Sequence, residues 1–283
     1  MNRGAFLFGA LAAVAAAPAA DVEIPVQMRG GRFFAVPRVD GGKVFACWLD
    51  TDGSGFIFDA AVDTFHLSAH TIDGKRRAML PAFVPPSFPP LGTATDLPVF
   101  ERAAADRVDP ILQGFDAQLG RTWFQGRTWR FDWPRGRCTM LGATLDAASA
   151  NIPVTIENGV PRIAVTVAGE SLTMTFDTAA SVAVKPYAAV RATTFVPQGV
   201  LDRWHRAHPD WVFERNVGVP QGIDRIVVPK IRAGSVLLRN VECTTRPGDD
   251  VFEGEDVNGK LGANAFASFV AILDYRTSRL RLS

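Results

Sequence analysis

Two short stretches carry the residues best suited to chemistry: Leu49-Asp50-Thr51-Asp52-Gly53-Ser54 and Phe176-Asp177-Thr178-Ala179-Ala180-Ser181. In each, an apolar strand-like run ends at Asp-Thr, two further residues follow, and then a Ser. Two carboxylates brought within about 3 Å cannot both ionise cheaply, so they share one proton and titrate apart. The ionised partner can then take a proton from a bound water while the protonated one donates to a carbonyl oxygen. Neither a metal nor a covalent intermediate is needed. One Asp-Thr at a strand end would say little, so the weight falls on whether the chain sets both in equivalent places.

It does so by a repeat. The first half opens with Ile24-Pro25-Val26, runs through Lys43 to Leu49 and reaches Asp50; the second opens with Ile152-Pro153-Val154, runs through Ser171 to Phe176 and reaches Asp177. The Ile-to-Asp separations are 26 and 25 residues. Leu119-Gly120 lies 13 residues before Asp132-Trp133, and Leu261-Gly262 lies 13 before Asp274-Tyr275, with Arg137 and Arg279 five residues beyond those aspartates. Order, type and spacing kept at three places mark an internal repeat. The chain therefore reads as residues 1–20, a lobe at 21–142, a linker at 143–150 and a lobe at 151–283.

The middles differ. Thr71 to Arg76 contains the Asp-Gly signal of a hairpin, a candidate flap. Leu80 to Pro90 is too rich in proline for a central strand and is expected to run extended over the surface along the cleft rim. The second half instead holds a helix-like stretch from Val200 to His208.

An apolar strand, Asp-Thr-x-x-Ser, and a later Leu-Gly followed by a strand ending in Asp-aromatic resemble the bacterial retropepsin-like aspartic proteases. The whole mature chain resembles a fused, pepsin-like version. The resemblance implies an all-β fold with short helices, in which two barrel-like lobes related by a pseudo-twofold axis face each other across a cleft. It further implies that Asp50 and Asp177 are catalytic and that Thr51 and Thr178 brace the opposing loops across the axis. Asp52, Gly53, Ser54, Ala179, Ala180 and Ser181 would complete those loops, and Leu119, Gly120, Leu261 and Gly262 would form the ψ-loop turns behind them. The expected activity is hydrolysis of peptide bonds in a peptide or unfolded protein, by a monomer without cofactor or metal.

The third motif position is usually Gly in that family, yet here it is Asp52 or Ala179. Asp52 facing the cleft would raise the dyad's pKa values or disturb it; turned outward, it would cost nothing. Gly53 and Ala180 at the fourth position offer no hydroxyl, so a rate optimum near pH ~4–6 is expected. A silent peptide-binding module of the same fold is the alternative, since fold does not fix function. Asp50-Thr51-Asp52-Gly53-Ser54-Gly55 also fits the opening of an EF-hand-type calcium loop, but Ala61 stands where the bidentate Glu belongs.

Composition bounds the rest. With 283 residues, 47% hydrophobic and a net charge of +1, there is length for two lobes and no electrostatic footprint for nucleic acid. Arg3, the apolar Ala5 to Ala16 and Ala17-Pro18-Ala19 read as a cleavable export signal, giving a periplasmic or secreted protein with no membrane association after cleavage. Three cysteines, Cys47, Cys138 and Cys243, allow one disulfide, with Cys47 to Cys138 the option within one lobe, or three thiols. Gly169-Glu170-Ser171 lacks the last Gly of a nucleophile elbow. His205 with His208, and His66 with His70, read as polar surface rather than metal ligands. Trp123, Trp129 and Trp133 are expected in the core or between lobes, and Glu253, Glu255 and Asp256 in a solvated loop.

Overall fold

The computed structural model describes residues 20–84, 88–91, 96–104, 110–186, 189–219, 222–247, 252 and 256–283. The export-signal stretch, Pro85 to Ser87, Glu253 and Glu255 lie outside the described residues. The chain is mainly β, and its two lobes meet in a shared antiparallel sheet. Across the junction that sheet runs in the order Val22–Ile24, Arg137–Leu141, Thr128–Asp132, Val270–Asp274, Arg279–Leu282, Ile152–Glu157, and it continues into the strands of the second lobe. Its central seam pairs Thr128 with Asp274, Arg130 with Ile272 and Asp132 with Val270. Arg130 and Ile272 each stand two residues before the repeat's Asp, so they are equivalent and directly opposed. The pseudo-twofold axis passes between them.

Register is preserved on both sides of this axis. Ile24 faces Cys138 as Ile152 faces Leu280, and Arg29 faces Arg32 as Glu157 faces Val160. Each half also brings its Leu-Gly strand parallel to its Asp strand, with Leu119 opposite Leu49 and Leu261 opposite Phe176. The repeated Asp-to-Arg spacing encodes a hairpin. Asp132 pairs across to Arg137 and its carboxylate accepts from the Arg135 amide at 3.1 Å; Asp274 pairs to Arg279 and accepts from the Arg276 amide at 2.9 Å.

Beyond the seam the lobes diverge. In the second, Val160–Val167, Glu170–Asp177, Gly259–Gly262, Thr194–Phe195, Val236–Thr244 and Arg225–Ala233 form a closed barrel, the last strand returning to the first. The first lobe is an eight-stranded sheet running from Val26–Arg29 to the exposed hairpin of Ala69–Ile72 and Lys75–Ala78. That hairpin turns at Asp73 and Gly74, both at positive φ (49° and 73°) as the Asp-Gly signal requires. None of its residues lines the cavity described below.

A core of aromatic rings crosses between the lobes. Trp123 and Trp129 lie 4.3 Å apart, and Trp133 reaches Phe176 and Phe266 of the second lobe at 6.2 and 5.5 Å. In the proline-rich segment Ala82, Val84 and Pro90 are exposed, as expected of a surface stretch, but Phe88 and Pro89 are buried and join this core. None of its described residues lines the cavity described below, contrary to its expected place along the cleft rim. Phe83–Val84 pairs with Arg38–Val39, the buried Phe88 stacks on Trp123, and the Trp123 indole donates to the Pro89 carbonyl at 2.9 Å. Burying large apolar rings outweighs the poor pairing of prolines here. Cys47, Cys138 and Cys243 are buried free thiols, so the Cys47 to Cys138 disulfide is not made.

The helix Gln198–Ala207 buries Val200, Leu201 and Trp204, while His205 stacks on Phe213 and His208 on Trp211, each ring engaged separately. No helix among the described residues is long and apolar enough to cross a membrane.

Candidate active site

The Asp50 and Asp177 loops are tied together by a reciprocal set of bonds. The Thr51 amide donates to Thr178 Oγ1 at 3.2 Å, and the Thr178 amide to Thr51 Oγ1 at 3.1 Å. Each hydroxyl then donates onward into the other lobe, Thr51 to the Phe176 carbonyl (2.6 Å) and Thr178 to the Leu49 carbonyl (2.9 Å). Both threonines are fully buried, so all four groups lie where an unmade hydrogen bond would be costly. Thr in this position therefore has a physical reason: its hydroxyl alone can accept from one partner and donate to another.

Each aspartate is gripped by its own loop. Asp50 Oδ1 accepts from the Asp52 and Gly53 amides at 3.0 and 2.8 Å; Asp177 Oδ1 accepts from the Ala179 and Ala180 amides, both at 2.8 Å. The second oxygens differ. Gln118 donates its Nε2 to Asp50 Oδ2 at 2.7 Å, and among the described residues no side chain donates in this way to Asp177. A Cβ built on Gly53 would lie 2.4 Å from Asp50 Oδ2 and 2.8 Å from the Gln118 amide, which is why glycine stands there. Ala180 stands at the equivalent place in the second lobe.

Behind these loops pass the Leu-Gly turns. The Leu119 carbonyl accepts from the Asp50 amide at 3.0 Å. A Cβ on Gly120 would sit 2.3 Å from the Gly53 carbonyl oxygen, and one on Gly262 only 1.6 Å from that of Thr193. Bare backbone is the only thing that fits.

Asp52 faces inward. Its carboxylate meets Lys260 Nζ at 2.5 Å, with both side chains nearly buried. Lys260 belongs to the second lobe and stands directly before Leu261-Gly262, as Gln118 stands directly before Leu119-Gly120. The two are thus equivalent residues, and each reaches the Asp50 loop. Neither was singled out in the sequence, although a polar side chain beside Leu-Gly in an otherwise apolar strand was the available signal. Asp52 is committed to Lys260 and Asp50 to amide donors, so the carboxylates do not converge as calcium ligands. Among the described residues no three His, Cys, Asp or Glu side chains gather into a metal site.

Electrostatics separate the two aspartates. Burial, with the neighbouring Asp52 charge, raises the Asp50 carboxyl to about 6, against the lowering effect of the two loop amides and Lys260. Asp177 is pushed up well beyond that of an ordinary carboxyl by burial, by Asp50 and by Asp52, with Lys260 again opposing. Both line one cavity of about 370 Å³, walled by Trp48, Ile111 and Phe195 and edged by Arg121, Arg246 and Lys260.

One flank of this cavity is special to the second lobe. Phe56 follows Asp50 by six residues, but its equivalent Phe195 follows Asp177 by eighteen. The extra length forms the hairpin of Ser181–Val184 and Ala189–Ala192, which leans on the first lobe. Ala179 and Ala183 pack with Phe34, Trp48, Phe58 and Phe115, and Arg32 donates to Ser181 Oγ at 3.2 Å. The Ala192 amide reaches the Gly30 carbonyl at 2.6 Å. Gly30 has φ +57°, and a Cβ there would lie 2.2 Å from the Val190 oxygen.

Two lobes joined by a six-stranded seam, each contributing one Asp-Thr loop to a shared cavity, define the fold of the bilobal aspartic proteinases. Among solved structures, the chain is similar to an aspartic proteinase from Irpex lacteus, at TM-score 0.53 and 12% identity over 93% of this chain and 97% of that one. It is likewise similar to basic 7S globulin from soybean (TM-score 0.50, 10% identity, 94% of this chain and 95% of that one). A third match is conglutin gamma, a basic 7S globulin from lupine seeds (TM-score 0.50, 10% identity, 93% and 95%). At such identities the likeness establishes fold alone. No protein-family model matches the sequence, nor does any curated protein.

Proposed function

We propose that the chain is an exported aspartic endopeptidase that cuts extended peptides or unfolded proteins with the Asp50/Asp177 pair. The reading rests above all on the reciprocal Thr51/Thr178 lock, which presents two buried carboxyls of unequal acidity to one cavity. Asp50 is the base. Its Oδ2 is held by the Gln118 amide, a donor that favours the ionised form, and its carboxyl titrates at about 6. Asp177 keeps the shared proton and donates it to the scissile carbonyl oxygen as a water, deprotonated by Asp50, attacks the carbon. Substrate lies extended, with main-chain hydrogen bonds to the rim and alternate side chains in pockets. The protein acts as a monomer, since one chain supplies both aspartates.

The sign of the pH dependence follows. Below about 6 Asp50 is protonated and there is no base, so the rate climbs as pH rises through that value. It falls again only when Asp177 yields its proton. The optimum therefore lies at or above about pH 6, higher than the ~4–6 expected from the loop residues alone. Cleavage of an unfolded protein by wild type, Asp50→Asn and Asp177→Asn across pH 3–8, with and without a chelator, tests this. Both variants should fold and lose at least about 10²-fold in rate, with no effect of chelator. Folded variants that cut like wild type would overturn the dyad. A folded wild type that cuts nothing would favour a peptide-binding module, a reading supported by Asp52 in the third position and by fold relatives named as globulins.

A further inference from the structure

The cavity holds three aspartates, yet it is not acidic. Asp52 is neutralised by Lys260 at 2.5 Å, and Asp177 holds its proton in the working state proposed above. Asp50 is the remaining carboxylate, its oxygens held by the Asp52, Gly53 and Gln118 amides. Arg121 from the first lobe and Arg246 from the second also line the cavity. Arg121 directly follows Gly120, and its amide donates to the Gly53 carbonyl at 2.8 Å, which fixes the residue against the Asp50 loop. No hydrogen bond or ion pair ties its guanidinium to a described residue. Arg246 lies over the Phe195 ring, 5.9 Å from its centroid, where an apolar wall holds the charge at the edge of the cavity. The internally equivalent residue to Arg121 is Ala263, after Gly262, so the positive wall is not a demand of the fold.

We propose that Arg121 and Arg246 form a subsite for a substrate carboxylate, making this a peptidase for acidic peptides. A guanidinium presents paired N–H donors that match a carboxylate. Two sources supply that chemistry, an Asp or Glu side chain beside the scissile bond or the free carboxy terminus of a short peptide. The inference rests on the peptidase reading for turnover, though not for binding.

The test uses four forms of one peptide: Glu or Gln at the variable position, each with a free or an amidated carboxy terminus. Affinities for the full-length mature protein are measured by calorimetry, together with kcat/KM. The carboxylate form should bind about tenfold to a hundredfold more tightly than its amide, the worth of a charge-assisted hydrogen bond. Whichever replacement abolishes the preference, Glu→Gln or amidation, identifies the source. Arg121→Met should erase most of the preference, Arg121→Lys should restore part of it, and Arg239→Met, a surface charge change away from the cavity, should leave it intact. Equal affinity for all four peptides, or a preference unchanged in folded Arg121→Met, overturns the subsite. Because binding is read directly, an enzyme that failed to cut would refute the peptidase reading while the carboxylate preference was still decided.

Discussion

Lys260 reaches from the second lobe to hold Asp52, and its charge also bears on both cavity aspartates. Its charge opposes the upward push on Asp50 and Asp177 alike, so Lys260→Met should raise both carboxyls and move the acid limb of the rate profile to higher pH. It would also strand a buried carboxylate, a change that ordinarily costs about 3–5 kcal/mol when one partner of a buried pair is removed. A pH–rate profile and a denaturant melt on the same variant separate the two effects. If the limb stays near its wild-type position while stability drops, Lys260 serves only as Asp52's counter-ion. Gln118 is its structural twin with a different task, since it donates to Asp50 itself and so favours the ionised carboxylate. One repeated position thus carries two chemistries, an amide donor in one lobe and a cation in the other.

At the scale of elements, the Leu-Gly turns show how little room the loops leave. Gly262→Ala would drive a Cβ to 1.6 Å from the Thr193 oxygen, and Gly120→Ala to 2.3 Å from the Gly53 oxygen, both backbone atoms that do not swing aside. Each should destabilise by about 1–3 kcal/mol or more, the range for forced overpacking, and blunt activity by displacing the Asp loops. Gly199→Ala is the control. It lies in the helix Gln198–Ala207 with nothing within 4 Å of a new Cβ, and should stabilise by about 0.5–1 kcal/mol. Thermal melts rank the three, and a Gly262→Ala protein as stable as wild type would refute the close-approach argument. These turns were legible in the sequence because close backbone approach leaves glycine as its only solution, and the Asp-Thr loops were legible because they recur. The Ser181 to Ala192 hairpin was not, since an insertion present in one half has nothing to be compared with. Nor was the fate of the proline-rich segment, whose prolines exclude a central strand but say nothing about what Phe88 will pack against. Asp52 read equally well facing inward or outward, because its partner Lys260 lies 208 positions away in sequence.

For the whole molecule, the seam is the feature with the widest reach. Strands Thr128–Asp132 and Val270–Asp274 are equivalent by repeat and pair antiparallel about their own centres, so each has the register to pair with a copy of itself. Arg130 is exposed while Ile272, its opposite number, is buried beneath it. In a newly made chain, the first lobe emerges before its partner exists and carries an open strand edge that another chain's first lobe could fit. Such a mispairing would set Arg130 directly against Arg130, and like charges opposed across an antiparallel pair repel. A fragment of residues 21–142 should accordingly stay more monomeric than the same fragment with Arg130→Val, as read by sedimentation over a concentration series. Equal self-association of the two would leave the arginine without this role. One charged side chain at the symmetry centre would then act as a chaperone written into the chain, keeping the edge vacant until the second half of the same molecule arrives to claim it.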